Sequence, residues 1–492
     1  MDDKTNEIKV SNKYRNFLIS GIGRILLTRI TSVIYIILLV RYVPLVLQDY
    51  MIIINNFLGI SATIGLFGIG YSLTQKKIST NVSNDDYYKI IYTIFILGSP
   101  INVISVFIIK LYVEISNLDL ILLIFTSLFN YSLFLIYVLN DGLIKSELTI
   151  LAKTIYSVLN SLLVPTFFII FDSFNSILLA WNFSMLIALI SSFRTIKNIL
   201  VHLKFDFNNT KPIIKFGFPV YLTSLLTIVS QRLDTFILYL FYETGETSQY
   251  YWVLRIAQVC QELFFSIFTG LFPILTKIFS RNNHLHYNNV VNSFLRVINF
   301  SSVYFFGILI VSSEIIIRYI LGYEEIIYYT IIKYAFLAYI LSAIAQILIT
   351  SSLAQGKTKT ISIGSIISNL VRTISLLLFY NTGPMVFVII LVFQQIILSS
   401  YYIFAKRSIL SFNTQFFRNF IYLGLLITIT FFVPQGATLF QSILYLIIYL
   451  FSTIFLGYII KPLSKNDLEN ISNIIGDRFN KSNKILKKIF TN

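Results

Sequence analysis

Long apolar runs separated by short polar connections dominate this chain from Phe17 to Ile460. The runs are about 20 residues each, and a helix of that length crosses a hydrocarbon core roughly 30 Å thick. Helices are expected because a backbone in lipid must satisfy its own hydrogen bonds. The alternating segments of about ten residues that build a membrane barrel do not stand out. The pattern predicts fourteen spans, at 17–40, 50–74, 89–110, 118–140, 150–171, 176–193, 213–241, 250–276, 290–312, 327–350, 360–380, 384–405, 418–434 and 438–460. Met1–Arg15 is polar and Phe17–Val40 is too long for a signal core, so no cleavable signal peptide is expected.

Composition agrees with that pattern. The 492 residues are 56% hydrophobic and only 12% charged, against about 25% charged in soluble domains. Mean hydropathy is +0.78. A net charge of +16 would suggest a nucleic-acid partner in a soluble protein, but here the placement of the charge argues against one. Lys and Arg fill alternate connections: Lys4–Arg15, Lys76 to Lys89, Lys145 and Lys153, Arg194 to Lys215, Lys277 and Arg281, Lys357 and Lys359, Lys406 to Arg418, and the tail. The opposite side holds only Arg41, Lys110 and Arg318. The positive-inside rule then places both termini in the cytoplasm, which requires an even number of spans. The single cysteine, Cys260, excludes an intramolecular disulfide framework and a cysteine-built metal site.

The longest inner connection, Arg194–Pro212, separates six spans from eight, and the longest outer one is Ser313–Ile326. The expected organisation is a cytoplasmic tail (1–16), a first six-span lobe (17–200), a second (201–405), two further spans (406–460) and a basic tail (461–492). A faint repeat supports two parallel lobes: Tyr50 and Tyr250 open corresponding spans, and Lys77 and Lys277 follow them. Helix breakers mark candidate bends, with Gly217-Phe218-Pro219 opening span seven and Pro273 near the end of span eight. In the tail, Leu468, Ile471, Ile474 and Ile475 precede Lys481, Lys484, Lys487 and Lys488, a pattern for either a helix on an anionic leaflet or a frayed basic end.

Seven cations sit inside the hydrophobic stretches, away from the basic connections: Arg24, Arg29, Arg232, Arg255, Arg296, Lys333 and Arg372. Each costs roughly 2.5–3.5 kcal/mol at mid-bilayer on lenient scales, so such groups usually face a protein interior or a wet cavity. Asp234 and Glu262 are the only acids at similar depth. Span seven carries Ser224, Thr227, Gln231 and Asp234 on one helical face, with Arg232 beside it. Span eight carries Arg255, Gln258 and Glu262, and span eleven Ser365, Asn369 and Arg372, each as a stripe. Two readings stand: the stripes line a common polar interior, or Asp234–Arg255 and Glu262–Arg372 pair as interhelical glue. In span one, Arg29 sits near mid-bilayer and Arg24 nearer the inner end, where it guards the mouth or snorkels. Arg296 and Lys333 lie close to span ends and are expected to snorkel.

Other motifs are missing or weak. No G-x-x-x-x-G-K-[ST] occurs, so the chain is not itself an ATP-driven pump. His284-x-His286 and Asp85-Asp86 fall on inner connections, where solvated loops explain them better than metals do. Asn208-Asn209-Thr210 is a sequon placed in the cytoplasm and carries no glycan.

The chain resembles the polysaccharide-biosynthesis flippases of the multidrug/oligosaccharidyl-lipid/polysaccharide exporter superfamily. The likeness rests on Ser20–Lys77, with Asp49-Tyr50 and Gly65-Leu66-Phe67-Gly68-Ile69-Gly70, and on Lys215–Arg281, with Lys215-Phe216-Gly217-Phe218-Pro219, Asp234, Tyr250-Tyr251, Arg255 and Leu271-Phe272-Pro273. The arrangement of six, six and two spans adds to it. The resemblance implies an all-α membrane protein with two six-helix lobes in a V, turning an undecaprenyl-diphosphate-type lipid-linked oligosaccharide from inner to outer leaflet by alternating access. It implies a bacterial or archaeal cytoplasmic membrane, a role in making O-antigen, capsule or a similar polymer, and a polymerase among its assembly partners. Arg24, Arg29, Arg232, Arg255 and Arg372 would bind the substrate, with Thr227, Gln231, Gln258 and Asn369 lining the cavity. Asp234 and Glu262 would pair charges or couple transport to a proton or Na⁺, and no cofactor is expected. A multidrug exporter of organic cations would want an acidic interior. A membrane glycosyltransferase or polymerase, with Asp49 as its carboxylate, would want a large outer loop.

Overall fold

The computed structural model describes residues 23, 26–69, 84–143, 146–201, 203–266, 271–280, 284–410, 414–433, 438–469 and 490–491. Within these the chain is almost wholly helical, and the β pairing is one isolated bridge between Leu463 and Thr491. Helix α1 covers 26–42. It is followed by α2 (Leu45–Gly65), α3 (Asn84–Tyr112), α4 (Asn117–Gly142), α5 (Ser146–Phe171), α6 (Phe174–Ser191), α7 (Phe193–Val201) and α8 (Phe207–Phe241). Then come α9 (Glu246–Ser266), α10 (Leu271–Ser280), α11 (His284–Val311), a π-helix (Ile315–Leu321), α12 (Ile326–Ala354), α13 (Thr358–Leu378), α14 (Pro384–Ala405), α15 (Thr414–Phe431) and α16 (Leu439–Ile460). Eleven of the described helices are long and apolar enough to cross a membrane. The described part of each of the fourteen expected spans falls largely on helix, that of span eight on α9 and α10.

Several connections differ from expectation because short-range signals extend the helices. The inner connection Arg194–Pro212 is largely helical, comprising α7 and the start of α8. Asp206 caps α8 by accepting from the Asn209 N–H at 3.1 Å, so Asn208-Asn209-Thr210 is a first helical turn and Pro219 lies within the helix. Pro273 falls in the first turn of α10, where a missing N–H costs nothing. Part of the outer connection Ser313–Ile326 winds into the π-helix. Asp85 and Asp86 occupy the first turn of α3, where the helix dipole favours them, and Asp86 pairs with Lys89 at 3.3 Å.

The chain divides into two compact units, residues 1–252 and 253–492, and the division falls inside α9. In the first unit α2, α3 and α4 pack around Ala62, Ile91, Ile94, Leu135 and Leu139. The Tyr131 hydroxyl locks that core by donating to the carbonyls of Gly65 and Ile94, both at 2.8 Å. The approach needs Gly98, since a Cβ there would stand 2.0 Å from the hydroxyl oxygen. Ser61 adds a 2.9 Å bond to the Asn102 side chain, and Ser127 a 2.8 Å bond to its carbonyl. Such interhelical bonds contribute ~0.6–2 kcal/mol each inside a membrane. At the end of α2 the backbone turns through positive φ at Phe67 and Gly68.

In the second unit, α12 is central and α16 peripheral: 67% of the apolar window of the former is buried, against 17% of the latter. Phe440, Phe451, Phe455 and Tyr458 of α16 are exposed, an apolar face suited to lipid. Tyr449 fastens α16 to α11 by donating to the Val303 carbonyl at 2.9 Å, beside Gly307. The start of the C-terminal segment folds back onto the unit. Leu463 N–H donates to the Phe490 carbonyl at 3.0 Å, and Asp467, Leu468 and Phe490 are all buried. Leu468 therefore packs into protein rather than onto a leaflet, while the expected tail residues Ile471 to Lys488 lie outside the described residues.

Candidate functional site

Within each unit the polar residues of the spans gather in clusters, most of them built on helix pairs. In the first unit the junction of α2 and α8 is organised by Asn56, which is fully buried. Its carbonyl oxygen accepts from the Arg232 guanidinium, and its amide donates to Thr235 Oγ1 at 2.7 Å. The Thr235 hydroxyl in turn donates to the carbonyl of Arg232 at 2.7 Å. An amide oxygen orients a guanidinium without cancelling its charge. Asn56 was not among the residues picked out from the sequence, although a polar Asn55-Asn56 pair inside an apolar run was a visible signal.

Asp234 points elsewhere. It is buried, and it accepts from the Tyr250 hydroxyl at 3.0 Å and the Thr235 N–H at 2.9 Å. The matched positions Tyr50 and Tyr250 thus differ in setting: Tyr250 is buried on a carboxylate, while Tyr50 is half-buried and packs edge-on to Phe174. Of the other expected lining residues in this unit, Thr227 is half-buried and donates to its own helix at the Thr223 carbonyl, 2.8 Å away, and Gln231 is exposed. Arg29 is half-buried on α1, and Arg24 lies outside the described residues.

In the second unit Arg255 donates to Gln258 at 2.7 Å and reaches Glu262 at 3.9 Å, the outer limit of an ion pair. All three are half-buried. The predicted stripe on this helix therefore exists and links its own members along one face. Arg372 is buried and donates to Gln394 of α14 at 3.3 Å; Gln394 then donates to Asn369 at 2.9 Å. Gln394 is a second residue that the sequence reading passed over, because the chain alone does not say which face of α14 meets α13.

Two of the embedded cations are not snorkelers. Arg296 is buried on α11 and grips Asp467 with both ends of its fork, at 2.9 and 2.5 Å. The carboxylate that holds it lies far along the chain, in the tail expected to lie on a leaflet or to fray, so position near a span end was a poor guide. Lys333 is buried too, with its ammonium donating to the Val433 carbonyl at 3.3 Å. Asp49, the carboxylate that an enzyme reading would use, is buried at the start of α2. It accepts from the N–H groups of Gly245 at 2.7 Å and Ser248 at 2.8 Å, so it caps α9 from another helix. Among the described residues no three His, Cys, Asp or Glu side chains gather as a metal site, and His284 stacks edge-on against Phe279.

Comparison with known proteins gives this architecture its place. A solved lipid II flippase, MurJ in an inward closed conformation, superposes with a TM-score of 0.71 at 19% identity, covering 90% of this chain and 98% of that one. A point mutant of the Vibrio cholerae MATE transporter VcmN gives 0.54 at 15% identity, over 80% of this chain and 96% of its own. An outward-facing multidrug resistance MATE transporter of the MOP superfamily gives 0.55 at 15%, over 79% and 95%. At these identities the likenesses establish the fold. No curated protein matches the chain significantly in sequence. A family model does: the model for polysaccharide biosynthesis proteins matches residues 14–279, more than half of the 492-residue chain. With this match over more than half of its length, the chain belongs to the polysaccharide biosynthesis protein family.

Proposed function

We propose that this protein moves a lipid-linked oligosaccharide, of the undecaprenyl-diphosphate type, from the inner to the outer leaflet of a bacterial or archaeal cytoplasmic membrane, for assembly into a surface polysaccharide such as O-antigen or capsule. The observation that carries the reading is the family match over residues 14–279, which includes α8 and the polar stripes on α8 and α9. A diphosphate–sugar head cannot pass hydrocarbon unaided, so the protein must offer a polar, positively charged route. Arg29, Arg232, Arg255 and Arg372, with Arg24 at the inner end, are the cations assigned to it, and arginine forks suit phosphate oxygens. Thr227, Gln231, Gln258 and Asn369 would contact the sugars.

In this reading lobes 17–200 and 201–405 alternate in access around the head while the lipid tail stays in the bilayer. The cost of embedding the arginines is offset when the anion binds, which favours the occupied state. Asp234 or Glu262 would exchange a proton or Na⁺ during the return step. The test is deletion of the gene followed by analysis of the lipid-linked intermediates. Accumulation of a sugar-bearing diphosphate lipid on the cytoplasmic face is expected, and normal export in the deletion strain would end the proposal. Normal export by Arg29→Ala, Arg232→Ala and Arg255→Ala, at normal protein levels, would remove the site assignment alone.

A further inference from the structure

On the side of the first unit that bears few cations, the starts of α2 and α9 and the ends of α3 and α8 enclose a cavity of about 400 Å³. Tyr50, Tyr112, Tyr239 and Tyr242 line it, together with Asp49 and Glu243. Its walls are fixed by hydrogen bonds. The Tyr239 hydroxyl donates to the Tyr112 carbonyl at 2.8 Å, and the Asp49 carboxylate is held by two N–H groups at the start of α9. Glu114 adds a third carboxylate near Tyr239. The size lies within the ~300–1,000 Å³ typical of small-molecule sites.

The lining decides the chemistry. No lysine or arginine lines the cavity, and its carboxylates would repel a diphosphate. If part of a lipid-linked oligosaccharide enters, it is therefore the sugar. A sugar ring presents an apolar C–H face and a hydroxyl edge, and tyrosine offers the complement of both. Sugar hydroxyls donating to a carboxylate make charge-assisted bonds. An aromatic lining with carboxylates also suits a quaternary ammonium ion. However, Asp49 already has its charge compensated by the α9 N-terminus, so the site is better furnished for hydrogen bonding than for holding a cation.

We infer that this cavity is a saccharide-binding subsite at the outer end of the first unit, taking sugar residues of the head group on the side of release. The inference rests on the flippase reading for its ligand and on the charge distribution for its sidedness. It gives the carboxylates Asp49, Glu114 and Glu243 at this end a role: they receive the hydroxyls of the sugars.

The test uses the full-length protein in lipid nanodiscs, with Thr244→Cys placed at the rim in a Cys260→Ser background. Maleimide labelling is timed with N-acetylglucosamine, galactose or glucose as probes, and separately with tetramethylammonium chloride. At a concentration ten times its dissociation constant, a bound saccharide should slow labelling roughly ten-fold. Adding Tyr242→Ala or Glu243→Gln should abolish the protection, while an unfolding midpoint equal to that of the parent protein shows that these variants fold. Protection by tetramethylammonium but by no saccharide would overturn the inference, as would protection by neither. If the deletion strain accumulates a lipid-linked intermediate and no saccharide protects, the subsite falls and the flippase reading survives. If saccharides protect but no intermediate accumulates, the flippase reading falls and a saccharide site remains.

Discussion

Two arginines inside apolar runs, one in each unit, differ in burial and in the partners that hold them. Arg296 on α11 is closed into a two-pronged ion pair with Asp467, and Asn419 donates to its backbone carbonyl at 3.2 Å. Arg232 on α8 is only half-buried, and its guanidinium is steered by the amide of Asn56. From sequence both are cations inside apolar runs. The first fastens the C-terminal segment to its unit and has its charge answered by a carboxylate. The second meets the buried amide of Asn56 at a helix junction. The two-pronged carboxylate, more than the depth in the membrane, marks Arg296 as structural.

That contrast can be broken most forcibly at Arg296. Replacing it with alanine strands Asp467 in a buried site and should cost about 3–5 kcal/mol, read as a lowered unfolding midpoint in detergent. The double change Arg296→Met with Asp467→Leu should recover most of that loss, because an apolar pair removes both charges together. If Arg296→Ala unfolds at the wild-type midpoint, the lock has been misread.

Arg232→Ala should leave the fold in place and reduce export. Loss of a hydrogen bond to a charged group is worth about 1.5–3 kcal/mol, roughly 10- to 150-fold in binding. Arg232→Lys should retain part of the activity, since the charge remains but the fork is lost. The comparison sharpens at Asn56→Asp. A carboxylate there would pair with Arg232, leaving protein level and unfolding midpoint near normal while export falls. Full export by Asn56→Asp would show that the charge on Arg232 is not what matters.

The smallest expected effect lies at Lys406, just beyond α14. Its ammonium donates to Gln355 at 2.8 Å, yet burial, reinforced by the nearby charge of Lys357, pushes its pKa down to about 8 from the ordinary 10.5. The unfolded chain then holds a proton that the folded one has released, so stability should rise as pH increases from about 8 toward 10.5 and be independent of this group below that window. Lys406→Met should flatten the rise in a pH series of unfolding midpoints. A slope unchanged in this variant would assign the effect to another group.

What the linear chain determined was the all-helical membrane class and where most of the described helices run. Those properties depend on the length of an apolar run and on local caps, both read within about 20 neighbouring residues. The stripe of Arg255, Gln258 and Glu262 was legible for the same reason, since one helix brings its members together. Tertiary structure alone decided that Asn56 meets Arg232, that Gln394 meets Arg372, that Asp49 caps α9 and that Asp467 reaches Arg296. In each case the partners lie on different helices or segments, and one apolar face looks much like another until packing selects which two meet. A hydrocarbon environment penalises every lone polar group alike, so it demands that partners exist without naming them.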